Sequence, residues 1–135
     1  MEALTAAAAD DGAFVVELPY PPSVNHYWRR VGDRTLISRE GRKFRKRVCA
    51  RLARRRAEPM SGRVAVHVTA HPPDRRRRDL DNAMKALLDA LGHGGVYEDD
   101  GQIDRLEIER GPVVPGGKVV VRVSVLPGER DDDRR

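Results

Sequence analysis

A chain of 135 residues can bury one core but cannot hold separate catalytic and binding domains, so a single surface has to serve both purposes. Lys and Arg outnumber Asp and Glu by 26 to 21, and the basic residues crowd positions 29–56 and 75–78 while the carboxylates collect later; this favours a polyanionic partner, although an Arg-rich solvated surface gives the same numbers. One cysteine, Cys49, excludes an internal disulfide and any zinc site built on cysteine pairs, and no apolar run approaches the ~20 residues that cross a bilayer, so a cytoplasmic protein without a membrane partner is expected.

Residues 1–13 and 128–135 are small, polar or charged and read as flexible ends around one domain over 14–127. Phe14 to Leu18 predicts a first strand, and Pro19, Pro21 and Pro22 then hold the chain extended up to Ser23, Asn25 and the aromatic pair Tyr27 and Trp28. That pair is either a core anchor or a stacking platform, and the burial habits of Tyr and Trp favour the core. Thr35 to Ile37 predicts a short strand. Ser38 then caps a helix reaching to about Ala57, in which Phe44, Val48 and Leu52 form the apolar stripe. Its other faces are basic, and Lys43 and Lys46 are candidate DNA contacts. Cys49 reads as part of this helix's packing rather than as a nucleophile.

Val64, Val66 and Val68 alternate with Arg63, Ala65 and His67, as a strand with one buried face does. A loop of Pro72, Pro73, Asp74 and four arginines leads into a second helix, whose apolar stripe is Leu80, Met84, Leu87, Leu88 and Leu91 and whose end is marked by Gly92, Gly94 and Gly95. Ile103 to Ile108 and Val119 to Val125 predict two further strands around a turn at Pro115 to Gly117, paired as an antiparallel hairpin. The fold class expected is α+β, an antiparallel or mixed sheet with two helices packed on one face.

The chemistry concentrates in Arg77-Arg78-Asp79-Leu80-Asp81-Asn82-Ala83-Met84-Lys85 and in Glu98-Asp99-Asp100-Gly101. Phosphodiester hydrolysis requires neutralised phosphate charge and a nucleophilic water, and a magnesium ion held by carboxylates provides both. Asp79, Asp81 and Asp100 are the candidate ligands, with Asp79 in the extended approach, Asp81 capping the helix, and Lys85 one turn on as a candidate catalytic cation. Taken singly, an Asp before a helix, an Asp–Lys pair four apart and an Asp-Gly turn are ordinary structure. Together, beside an arginine run, they favour function. Arg75, Arg76, Arg77 and Arg78 are candidate phosphate contacts. His26, His67, His71 and His93 lack metal-ligand spacing and receive no role.

Leu18-Pro19-Tyr20-Pro21-Pro22-Ser23-Val24-Asn25, Ser38-Arg39-Glu40-Gly41, Arg78-Asp79-Leu80-Asp81-Asn82, Lys85, Leu88-Asp89-Ala90-Leu91 and Asp99-Asp100 together resemble the RusA-type Holliday junction resolvases over most of residues 14–125. The resemblance implies a homodimer that binds four-way DNA junctions and, with magnesium or manganese in its place, makes paired nicks in strands of like polarity, without a small-molecule cofactor. It assigns metal binding to Asp79, Asp81 and Asp100 and catalysis to Lys85. Either Asp99 or Asp100 could face the metal, the spacing from Asp81 suiting Asp100 better. Ala83 stands where a bulkier apolar residue is expected. Nucleases for other branched or flap DNA, and a DNA-binding module without catalysis, are the competing readings.

Overall fold

The computed structural model describes residues 6–8, 13–54 and 58–128. In chain order it forms β1 (Ala6–Ala8), β2 (Phe14–Leu18), α1 (Val24–Tyr27), β3 (Trp28–Val31), β4 (Arg34–Ile37), α2 (Arg39–Leu52), β5 (Val64–His71), α3 (Met84–His93), β6 (Ile103–Arg110) and β7 (Lys118–Val125). Short 3-10 turns at Leu80–Ala83 and Asp100–Gln102 precede α3 and β6. β1 lies inside the segment expected to be flexible and pairs with β2; the remainder of that segment apart from Ala13, and the tail from residue 129, fall outside the described residues.

Five strands form a mixed sheet in the order β1-β2-β7-β5-β6, and β3 with β4 forms a separate two-stranded sheet. The period-2 patterns place Phe14, Val16 and Leu18 of β2, Val64, Val66, Val68 and Ala70 of β5, and Val119, Val121 and Val123 of β7 in one core. Phe44, Val48 and Leu52 of α2 and Met84, Ala86, Leu87, Ala90 and Leu91 of α3 complete the same cluster, as the α+β reading expects. Ser38 caps α2 as predicted, accepting a 2.9 Å hydrogen bond from the Gly41 amide. The helix ends at Leu52, short of the expected Ala57, where the Ala53 amide bonds back to the Cys49 carbonyl. Tyr27 is fully buried and meets Trp28 edge to face with ring centroids 4.9 Å apart, so the pair anchors the core.

The predicted hairpin between β6 and β7 does not form, because β5 lies between them, parallel to β6 and antiparallel to β7. Composition explains the order. β7 is valine-rich and takes an interior position, whereas β6 carries Asp104, Arg105, Glu107, Glu109 and Arg110 and suits a solvated edge. The loop between them is tied across the end of β5 by the Gly111 amide to the Ala70 carbonyl at 2.8 Å and the Val114 amide to the Pro72 carbonyl at 3.0 Å. Parallel pairing of β5 with β6 also demands a crossover, and α3 supplies it. The helix therefore returns the chain from the C-terminal end of β5 to the N-terminal end of β6, which decides where the acidic motifs stand.

Candidate active site

The loop after β5 is held by its own arginine. Asp74 accepts hydrogen bonds from the Arg78 guanidinium at 2.7 Å and the Arg76 amide at 2.9 Å, and those bonds, Arg78 first, hold its carboxyl down to about 2. Arg110, at the end of β6, donates to the Arg78 carbonyl at 2.8 Å and ties the loop to the sheet. Arg78 is thus half-buried and engaged within the loop, while Arg75, Arg76 and Arg77 are exposed. Lys43 and Lys46 are also exposed, on α2.

Asp79 is extended, at φ −75° and ψ 136°, and occupies the N-cap position of the first 3-10 turn without making a side-chain cap. Asp81 lies inside that turn, so the expectation that it caps α3 is not met; α3 begins at Met84, preceded by Ala83 and without a side-chain cap. The physical reason is the intervening 3-10 geometry, which displaces the start of the helix past Asp81. Asp81 and Lys85 are both exposed, and among the described residues they form no ion pair with each other.

Two motifs distant in sequence meet beside Asp79. Ser23, Asn25 and His26, from the proline-rich approach and α1, line one cleft with Asp79 and Asn82. Ser23 Oγ stands 2.9 Å from His26 Nδ1 and orients the ring. Spacing gives His26 no role, since its neighbours in the cleft come from another segment and only folding supplies them.

At the other end of α3 a second cleft is lined by Leu88, Asp89, His93, Glu98, Asp99 and Asp100. Its two adjacent aspartates differ. Asp99 accepts from the Gly101 amide at 3.1 Å and forms a capping box with Gln102, whose amide oxygen receives the Glu98 and Asp99 amides at 2.8 and 2.9 Å. Gln102 is buried and also donates to the Met60 and Gly62 carbonyls, both at 2.9 Å. Asp100 is exposed and, among the described residues, has no hydrogen bond or ion pair through its side chain.

Asp89 joins the helices. It accepts from the Tyr27 hydroxyl and, at 2.7 Å, from the Arg45 guanidinium on α2. Burial raises its pKa, but the two hydrogen bonds together with the charges of Arg45 and His93 outweigh burial and leave it below its ordinary value. Burial, with the bond to Asp89, pushes the Tyr27 hydroxyl up to about 12. The signal available in the sequence is an acid set next to the apolar stripe of α3, which needs a buried partner to be tolerated.

Asp79 and Asp81 therefore stand before α3 and Asp100 after it. Among the described residues no three His, Cys, Asp or Glu side chains gather as a metal site would require.

Residues 19–125 match the family described as endodeoxyribonuclease RusA. The chain belongs to the RusA endodeoxyribonuclease family. A RusA crossover junction endodeoxyribonuclease of Enterobacteria phage HK97 is 46% identical over 110 residues, 81% of this chain and 92% of its own length. RusA crossover junction endodeoxyribonucleases of Escherichia coli strain K12 and Enterobacteria phage 82 are 35% and 36% identical, over 86% and 84% of this chain and 98% and 96% of their own. Both clefts and all of α3 lie within the residues matched to the RusA family. RusA enzymes are nucleases, and this chain is by family an endodeoxyribonuclease. Among the described residues no helix is long and apolar enough to cross a membrane.

Proposed function

We propose that this RusA-family chain resolves four-way DNA junctions by paired, magnesium-dependent nicks, acting as a homodimer in DNA recombination and repair. The observation that carries the reading is a division of labour among its aspartates. Asp74, Asp89 and Asp99 are each committed to hydrogen bonds inside the fold, while Asp79, Asp81 and Asp100 are exposed and, among the described residues, make no side-chain hydrogen bond or ion pair. Exposed carboxylates are the donors a hard divalent cation takes, and the ion, when bound, supplies phosphate neutralisation and an activated water.

Among the described residues no three such side chains gather as a metal cage, and a second copy would be a source of the remaining ligand. No strand among the described residues pairs with β6 on the side away from β5. Antiparallel pairing of two such edges about a two-fold axis would bring the N-terminal end of one β6, which follows Asp100, to the C-terminal end of the other, where Arg110 holds the Arg78 carbonyl beside Asp79. Asp100 of one copy would then join Asp79 and Asp81 of the other, at two sites related by symmetry. Lys85 would place a positive charge against the phosphate, and Arg75, Arg76 and Arg77, with Lys43 and Lys46, would hold the DNA backbone.

The experiment is nicking of a synthetic four-way junction and a matched linear duplex, with and without magnesium, by the parent, Asp81→Asn, Asp100→Asn and an equimolar mixture of the two variants. Junction-selective, magnesium-dependent nicking that is lost in each variant and partly restored in the mixture is expected. In the mixed dimer one site keeps all three carboxylates, whereas sites built within one chain would stay dead. Binding without cleavage by the parent would instead favour a DNA-binding module, and equal cutting of the linear duplex would remove the junction.

A further inference from the structure

The β3–β4 hairpin takes no part in the acidic clefts or in the pairing of β6 edges. Among the described residues its strands pair only with each other, through Trp28 with Ile37, Arg29 with Leu36, Arg30 with Thr35 and Val31 with Arg34. Residues directly opposite in an antiparallel pair share a face. One face therefore runs from Trp28 and Ile37 at the base to Arg30 and Thr35, and the other carries Arg29, Leu36, Val31 and Arg34.

The base is fixed and the tip projects. The Ser38 amide donates to the Tyr27 carbonyl at 2.8 Å, and Ser38 Oγ donates to the His26 carbonyl. A Cβ at Gly41 would stand 2.5 Å from the Tyr27 carbonyl oxygen and 2.8 Å from the Ile37 side chain, which explains why the sequence has glycine there and shows how closely α2 clamps the hairpin. Every residue from Arg29 to Thr35 is exposed, Val31 by 44%. Gly32, at φ 60°, and Asp33 make the tight turn. Arg29 and Arg34 form no ion pair among the described residues.

We propose that this hairpin is the element that recognises the branch point of the DNA, with Val31 set against an exposed base-pair face and Arg29 and Arg34 on the flanking phosphates. The inference rests on the junction reading above. A linear duplex must be unstacked before an apolar tip can cover a base-pair face, whereas the stack is already interrupted at the centre of an open four-way junction. Charge fits the same partner, because arginines without internal partners flank the valine on a ribbon narrow enough to follow a groove. Position fits too. The hairpin follows directly on Ser23 to Tyr27, the segment whose Ser23, Asn25 and His26 line the cleft with Asp79, so its base starts beside that cleft.

The test uses Asp81→Asn protein, so that binding is read without cleavage, on a four-way junction carrying 2-aminopurine beside the branch and on a linear duplex of the same sequence. Val31→Ser should weaken junction binding about tenfold and abolish the fluorescence rise on binding, while leaving linear duplex affinity within about twofold. Arg29→Ala with Arg34→Ala should weaken both and lower the salt slope by about one for each phosphate no longer neutralised. Parent-like binding and fluorescence in both variants would overturn the proposal. A change in sedimentation of the free Val31→Ser protein would also overturn it, by making the hairpin a contact between copies. If the Asp81→Asn parent itself shows no junction preference, the functional reading has failed and takes the hairpin with it.

Discussion

The two ends of α3 carry similar acids in sequence, Asp79 and Asp81 before it and Asp99 and Asp100 after it, but the fold uses them differently. Before the helix, the structural acid is Asp74, which clamps Arg78 and the loop, and both members of the Asp-Leu-Asp motif have carboxylates without a hydrogen bond or ion pair among the described residues. After it, one member of the adjacent pair is taken: Asp99 caps the turn against Gly101 and Gln102, and Asp100 is left over. Type and spacing alone do not distinguish a ligand from a cap. The difference lies in which backbone amides each carboxylate can reach once the turn has closed.

The largest effect that could break this comparison is on catalysis. Asp81→Asn and Asp100→Asn should each reduce junction nicking at least about 100-fold, beyond the usual cost of losing a residue that merely supports a metal ligand. Their melting temperatures should stay close to the parent's, since neither side chain makes a hydrogen bond or ion pair among the described residues. Asp99→Ala should do the reverse, keeping nicking within a few-fold but costing about 1 kcal/mol of stability through the lost cap. Denaturant titrations beside nicking assays would show this, and dead nicking in Asp99→Ala with normal nicking in Asp100→Ala would invert the assignment.

A smaller effect tests the tie between the helices. Asp89→Ala removes the acceptor of both Tyr27 and Arg45, and the Arg45 Nε is already buried without a hydrogen-bond partner. A cost of about 2 kcal/mol in urea unfolding is expected, mostly the penalty of leaving a partly buried guanidinium unpaired. Asp89→Asn, which keeps an acceptor, should lose less. An Asp89→Ala protein as stable as the parent would show that apolar packing alone holds α2 to α3.

The smallest effect is on the motif loop at low pH. The Asp74 carboxyl sits at about 2 in the fold, below its ordinary value of about 3.9, so its clamp is fully present above the ordinary value and is lost as pH falls through the folded one. The Arg76 amide proton resonance should titrate with a midpoint near 2. Arg78→Ala should move that midpoint up toward the ordinary value. A parent midpoint already there would mean that Arg78 does not hold the loop and is available to DNA.

Much of the fold is legible in the chain because it is local. The alternating valines of β5 and β7, the Phe44, Val48 and Leu52 stripe, the Ser38 cap and the Met84 to Leu91 stripe all report their own burial through period alone. Turn chemistry at Gly116 and Gly117, both at positive φ, is legible too, but it suggests a hairpin that does not exist. A turn specifies a reversal of direction, not which strand receives the returning chain. β5 takes that place, two ladders outweighing the shorter loop a direct hairpin would have needed.

The site divides in the same way. Residue type and spacing, with the family pattern they resemble, single out Asp79, Asp81, Lys85 and Asp100 and the arginine run, because these are local runs of charge. Only the tertiary structure decides that Arg78 bonds within the loop, that Asp99 is a cap and Asp89 a tie, and that His26 lines the cleft of Asp79. The physical reason is reach. A carboxylate's partners lie within about 3 Å in space, and for these residues they are supplied by segments far away in the chain, whose positions follow from the parallel pairing of β5 with β6.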